Sequence, residues 1–378
     1  MEKNDNGVYC ALPFVHMAIR PNGEVLPCCR WEERENKPDD LNISLAEPRK
    51  HAYYQKIHKD MLEGRQSLGC SKCYLEEKNG IETMRQQSLS SYGYYTEVTK
   101  VKNIEIAFSN FCNLACRHCG PAFSSKWQKD YKVLHPDEWV PGLIRKNQSL
   151  SGLDFSELTY LKIIGGEPLL EQDKFIDLIK RCDLPKLELQ ICTNGTVLPN
   201  EELAALVKQC KQVKIDLSID DVNAANDYFR YPSDFKKIEE NIKWYEQSFK
   251  SLPQTQLYLH CVINIYNLNH LDEIMLWHKE NFNAWTLDFD LLHEPRHFSI
   301  SNLPSKAKEI CKARLADWQV DARFATYHRW FAACMMKLSE PSRSTWEDFV
   351  KYSKKLDQLR SQNLKTVNPE LNSWMELF

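Results

Sequence analysis

From about residue 102 to residue 292, short apolar strands alternate with amphipathic helices. This order constrains the chain more than any other feature, because a strand followed by a helix and another strand closes a βα unit and builds a parallel sheet. Six strands are predicted: Asn103–Ser109, Tyr160–Ile164, Leu187–Cys192, Val213–Ile219, Gln256–Ile265 and Trp285–Leu292. Apolar residues recur at helical spacing between the later strands, at Phe235, Ile238, Ile242, Tyr245 and Phe249, and again at Leu271, Ile274, Met275 and His278. The pattern predicts an α/β fold, a partial (β/α)6 TIM-like barrel. Parallel strands covered on both faces usually read as continuous apolar runs, but these alternate. Val213, Ile215, Leu217 and Ile219 share one face of the fourth strand, and Lys214, Asp216, Ser218 and Asp220 share the other. The polar faces together carry Glu105, Glu188, Gln190, Lys214, Asp216, His260, Asp288 and Asp290. Burying so many ionisable groups unpaired costs several kcal/mol each, so a wet or ligand-filled lumen is expected, with His260, Asp288 and Asp290 as candidate substrate contacts. An antiparallel sheet with one solvated face is the alternative, and the intervening helices argue against it.

The 378 residues suffice for two domains or one with a large accessory. Lys+Arg 49 against Asp+Glu 52 gives a formal charge of −3, which demands neither nucleic acid nor an anionic membrane as partner. No apolar run reaches the ~18 residues of a membrane span, and the opening MEKNDNGVYC lacks the build of a signal peptide, so a cytoplasmic protein is expected. Three regions are predicted: a Cys-rich, turn-rich segment 1–100, the barrel 101–293 and a helical C-terminal extension 294–378. In the first, Pro21-Asn22-Gly23 turns between strand-like Val15–Ile19 and Glu24–Leu26. In the last, Trp330, Phe331, Met335 and Met336 are expected in the core.

Fourteen cysteines are more than a long chain with its own core needs for disulfides. Cys112, Cys116 and Cys119 form a C-x3-C-x2-C loop directly after the first barrel strand. Three thiolates so spaced can hold three corners of a [4Fe–4S] cube and leave one iron open; zinc would need a fourth ligand, His118 or a remote one. Cys10, Cys28, Cys70 and Cys73 can complete a second, auxiliary [4Fe–4S] cluster or a zinc knuckle, with Cys29 able to replace Cys28. Cys182, Cys192, Cys210, Cys261, Cys311 and Cys334 read as small buried hydrophobes. Of these, only Cys192 has the strand phase that points into the lumen, which makes it a candidate hydrogen-atom donor.

Further segments stand at the carboxyl ends of predicted strands, where αβ barrels place their chemistry. They are Gly165-Gly166-Glu167-Pro168, Thr193-Asn194-Gly195 and Ser218-Ile219-Asp220. With the cysteine triplet, they resemble the motifs of the radical S-adenosylmethionine (SAM) superfamily, from about Lys102 to Leu292. The resemblance implies that SAM binds a cluster held by Cys112, Cys116 and Cys119, with the Gly165–Pro168 segment at its amino group. It further implies Arg230 and Ser218 near the SAM carboxylate, His118 beside the adenine, and Thr193, Asn194, Asp220 and Asn264 among the cofactor contacts. The turn after the fourth strand departs from the family's usual SLDG, reading Ser218-Ile219-Asp220-Asp221. The Gly23-x4-Cys28 hairpin resembles a SPASM/twitch auxiliary domain placed before the barrel instead of after it. The implied activity is reductive SAM cleavage and hydrogen abstraction from a peptide, by oxidation, cross-linking or epimerisation, with flavodoxin or ferredoxin as reductant. A small polar metabolite such as an aminocyclitol, sugar or nucleotide is the alternative substrate. A non-catalytic iron–sulfur or zinc protein is the alternative of another class.

Overall fold

The computed structural model describes residues 7–31, 47–78, 82–138, 150, 152–249, 252–342 and 344–377. Eight strands form one sheet: β1 (His16–Ile19), β2 (Val25–Leu26), β3 (Asn103–Ala107), β4 (Tyr160–Ile164), β5 (Glu188–Thr193), β6 (Gln212–Ser218), β7 (Thr255–Ile263) and β8 (Thr286–Leu291). Their order is β2-β1-β3-β4-β5-β6-β7-β8. The six expected barrel strands appear as β3 to β8, with ends shifted by no more than two residues. Helices alternate with these strands, which makes the expected partial (β/α) barrel sheet. The chain divides into two compact units: Met1–Phe111, Leu143–Ile191 and Pro199–Lys214 in one, Cys112–Gly142, Cys192–Leu198 and Ile215–Phe378 in the other.

The alternation within the strands sets their burial. In β6, Val213, Ile215 and Leu217 are buried, while Lys214, Asp216 and Ser218 are only partly covered. β5 repeats the pattern, with Leu189, Ile191 and Thr193 buried. Helix Phe235–Phe249 buries Phe235, Ile238, Ile242, Tyr245 and Phe249, the spacing read from the sequence. Each such side chain contributes about 1.5–3 kcal/mol of transfer free energy.

The N-terminal segment corrects an expectation. β1 and β2 pair antiparallel as a hairpin, but β1 also lies parallel to β3, in the register His16↔Asn103 to Ile19↔Ile106. All four β1 residues are buried. The hairpin is therefore the edge of the barrel sheet and not the centre of a separate SPASM/twitch auxiliary domain. Buried Arg49 fastens it, donating to the carbonyls of Phe14 at 3.0 Å and Thr99 at 2.9 Å. The extension beyond the core is at the C-terminus, in helices Ser305–Val320, His328–Ser339, Trp346–Arg360, Leu364–Val367 and Pro369–Leu377. Phe331 there is buried, but Met336 is 73% exposed and so is not the core residue expected. No helix among the described residues is long and apolar enough to cross a membrane.

Candidate functional site

The turn after β4 shows what its glycines are for. Gly165 has φ +133, and a Cβ on Gly166 would stand 2.2 Å from the Phe111 carbonyl oxygen. Without side chains the turn lies against residues 109–111, where Gly166 N donates to Ser109 O at 3.2 Å and Glu167 N to Phe111 O at 2.8 Å. The segment leading into the cysteine loop is thereby held by the Gly165–Pro168 turn. Glu167 is buried, and its Oε1 accepts from Leu169 N at 3.1 Å, capping the short turn Pro168–Leu170. Behind this turn, Glu105 sits between Lys162, its cross-strand neighbour, at 3.2 Å and Arg20 at 3.6 Å. This buried polar-face carboxylate is therefore paired.

In the second unit, the loop Cys112–Cys119 is braced along its length. Ala115 N donates to Tyr231 O at 2.5 Å and Arg117 N to Phe229 O at 2.8 Å. The indole of Trp127 donates to Cys116 O at 2.8 Å. Arg117 is fully buried, stacks its guanidinium 3.7 Å over the Tyr228 ring, and ion-pairs with Asp357 of helix Trp346–Arg360. Its Nη2 also donates to Gln362 Oε1 at 3.0 Å. Sequence reasoning missed Arg117 as the anchor of the loop; the available signal was an arginine inside an otherwise small, cysteine-rich turn.

The turn after β5 meets the same loop. Asn194 Nδ2 donates to Asn113 Oδ1 at 3.0 Å and approaches the Cys112 sulfur at 3.8 Å. Thr193 Oγ1 accepts from Gly195 N at 3.1 Å, and Gly195 takes φ +76. Past β6, where Ser218 is the last residue, Arg230 Nη1 donates to Asp220 Oδ2 at 2.6 Å, both groups buried. Asp220 Oδ1 accepts from Val262 N at 3.0 Å. Arg230 Nε has no hydrogen-bond partner among the described residues, nor has His118 Nδ1, and both atoms are buried. The His118 ring stacks on Phe229, with centroids 5.1 Å apart, and burial lowers its pKa so that it stays neutral. The Asn264 amide donates to Val262 O at 2.7 Å and accepts from Tyr266 N at 2.9 Å. Cys192 Sγ lies 3.7 Å from Asp216 Oδ2. On β7 and β8, His260 is 3.5 Å from Asp290, and Asp288 pairs with Arg329 at 3.0 Å.

The cysteines correct a second expectation. Among the described residues no group of three or more His, Cys, Asp or Glu is assembled so that it could hold a metal ion. All fourteen cysteines are free thiols. Burial pushes Cys116 up to about 11 and raises Cys119 further. Cys10, Cys28, Cys70 and Cys73 line one small cavity together, while the Cys29 thiol turns to the Met84 sulfur at 3.7 Å. Burial likewise pushes Cys10 up to about 11 and raises Cys28 and Cys70. The donor sets as placed do not fit the two expected [4Fe–4S] clusters.

Residues 106–278 match the Radical SAM superfamily model. The match runs from within β3 to within helix Leu271–Asn281. Among curated proteins, the chain is 23% identical over 246 residues to the radical SAM cyclopropyl synthase TigE of Paramaledivibacter caminithermalis, covering 62% of this chain and 50% of TigE. It is 25% identical over 171 residues to an S-adenosylmethionine-dependent nucleotide dehydratase of Fibrobacter sp., covering 42% of this chain and 47% of the relative. The chain thus spans about half the length of these curated relatives. Among solved structures, anSMEcpe with bound AdoMet is similar at TM-score 0.42 and 18% identity, over 61% of this chain and 60% of that one.

Proposed function

We propose that this chain binds SAM at the loops following its strands and uses it to remove a hydrogen atom from a peptide substrate. The observation that carries the SAM reading is Arg230. A buried guanidinium with one nitrogen on Asp220 and its Nε unfilled among the described residues suits a carboxylate, which accepts charge-assisted hydrogen bonds in a fixed geometry. The neutral His118 ring, with an unfilled Nδ1, suits a planar heterocycle with hydrogen-bonding edges such as adenine. When bound, SAM supplies the 5′-deoxyadenosyl group that accepts the hydrogen atom.

In this reading the chain's residues bind and orient. Arg230 and Ser218 receive the carboxylate and Asp220 the ribose side, while Thr193 and Asn194 hold the turn beside the Cys112–Cys119 loop. A one-electron donor of the flavodoxin or ferredoxin type supplies the electron. If the outcome is epimerisation, the Cys192 thiol returns a hydrogen atom to the substrate carbon. Arg230→Met separates binding from folding: calorimetric titration should show SAM affinity falling by about tenfold or more while the thermal transition of the variant stays cooperative. Unchanged affinity would remove the assignment.

The peptide substrate rests on the position of Arg230, which resembles that of the peptide-modifying branch. A nucleotide is the second reading, favoured by the named activity of the nucleotide dehydratase relative and by the His260–Asp290 pair on neighbouring strands. Mass spectrometry separates them: loss of two hydrogens from a short peptide supports the first, and a changed nucleotide supports the second.

A further inference from the structure

The second unit contains a cavity of about 480 Å³ between helix Gln128–Leu134, the turn Pro295–His297 and helix Trp346–Arg360, which reaches the end of the cysteine loop at Cys119. That volume is in the range of a site for one small ligand. Lys351 and Lys355 stand one helical turn apart and so share a face toward it. Neither has an ion-pair partner among the described residues. The only carboxylate among the described lining residues, Asp348, caps its own helix by accepting from Thr345 N at 3.3 Å and Ser344 Oγ at 3.1 Å. Two lysines against this one carboxylate leave the cavity lining a net positive charge.

Its walls also present flat rings. Tyr131 and His135 stack with centroids 4.4 Å apart, and His297 lies 4.7 Å from Tyr352. The Tyr131 hydroxyl donates to Glu138 Oε2 at 2.5 Å and is thereby fixed. On the opposite wall His297 Nε2 is buried without a hydrogen-bond partner among the described residues. Burial keeps this imidazole neutral, so it offers one donor or acceptor to whatever enters. An unsatisfied buried polar atom is costly, and a ligand edge would relieve the cost.

We propose that this cavity binds a small anion joined to a planar ring, of the nucleoside monophosphate class. The phosphate engages Lys351 and Lys355, and the base lies between the two ring pairs with an edge at His297 Nε2. The cavity touches the cysteine loop at Cys119, but none of the residues given a role here is one of the SAM contacts proposed above. The test is titration of the full-length protein with GMP, AMP and inorganic phosphate, followed by calorimetry. Saturable binding of a nucleotide, tighter than phosphate and weakened about tenfold or more in Lys351→Ala/Lys355→Ala, is the expected result. His297→Ala should narrow the gap between nucleotide and phosphate. Both lysines are exposed, so the double variant should fold as the parent does. Absence of saturable binding, equal affinity for phosphate and nucleotides, or binding indifferent to the lysines would overturn the proposal. Capture of an acidic protein by the same lysines without nucleotide binding would overturn it equally.

Discussion

Arg117 illustrates how one side chain governs a functional loop. Its charge is buried and is tolerable only because Asp357, Gln362 and two tyrosine rings receive it. Arg117→Ala removes all of these partnerships and leaves Asp357, among the described residues, with the Tyr228 hydroxyl and the Leu364 backbone N–H as donors. The expected cost is about 3–5 kcal/mol, read as a lowered Tm with weakened SAM binding; a variant as stable as the parent would contradict the anchoring role. His16 acts on a different property. Burial lowers its pKa from 6.5 to about 4, so between those values the unfolded chain binds the proton and the folded chain does not. Stability attributable to His16 is therefore full above pH ~6.5 and lost as pH falls toward 4, by about 3 kcal/mol in total. Denaturant titrations across that window should show the acid slope reduced in His16→Gln, whose side chain takes up no proton. Neither role was legible in the sequence. Asp357 lies 240 residues from Arg117, and a lone histidine in a strand carries no mark of its burial.

At the scale of elements, the strands were legible to within two residues because a polar–apolar alternation of period two is a local signal. The membership of the hairpin in the barrel sheet was not. β1 pairs with a strand more than eighty residues further along, and the Cys-rich turns around it suggested a separate domain. The glycine motif was legible as a motif but not in its cause. Gly166 serves a close approach to the Phe111 carbonyl within the chain as well as any approach to a ligand. Gly166→Ala should push residues 109–111 away, at a cost of about 1–3 kcal/mol, and weaken SAM binding with it. Thermal unfolding and SAM titration of the variant read both effects, and a variant matching the parent in both would contradict the tight contact.

Across the whole molecule, the C-terminal helices brace the site as well as cover the core. Helix Trp346–Arg360 supplies Asp357 to Arg117, and its Arg360 pairs with buried Asp130 at 2.8 Å, beside the Trp127 that bonds Cys116 O. This bracing explains why a cysteine loop with few apolar residues keeps a defined shape. In the proposed function this scaffold positions SAM for radical cleavage. The most direct test incubates anaerobically purified protein with SAM and dithionite and measures 5′-deoxyadenosine by liquid chromatography and mass spectrometry. The expected result is 5′-deoxyadenosine accumulating with time in the parent protein and at a small fraction of that rate in Arg230→Met. SAM recovered intact from the parent protein, or equal product from the variant, would contradict it.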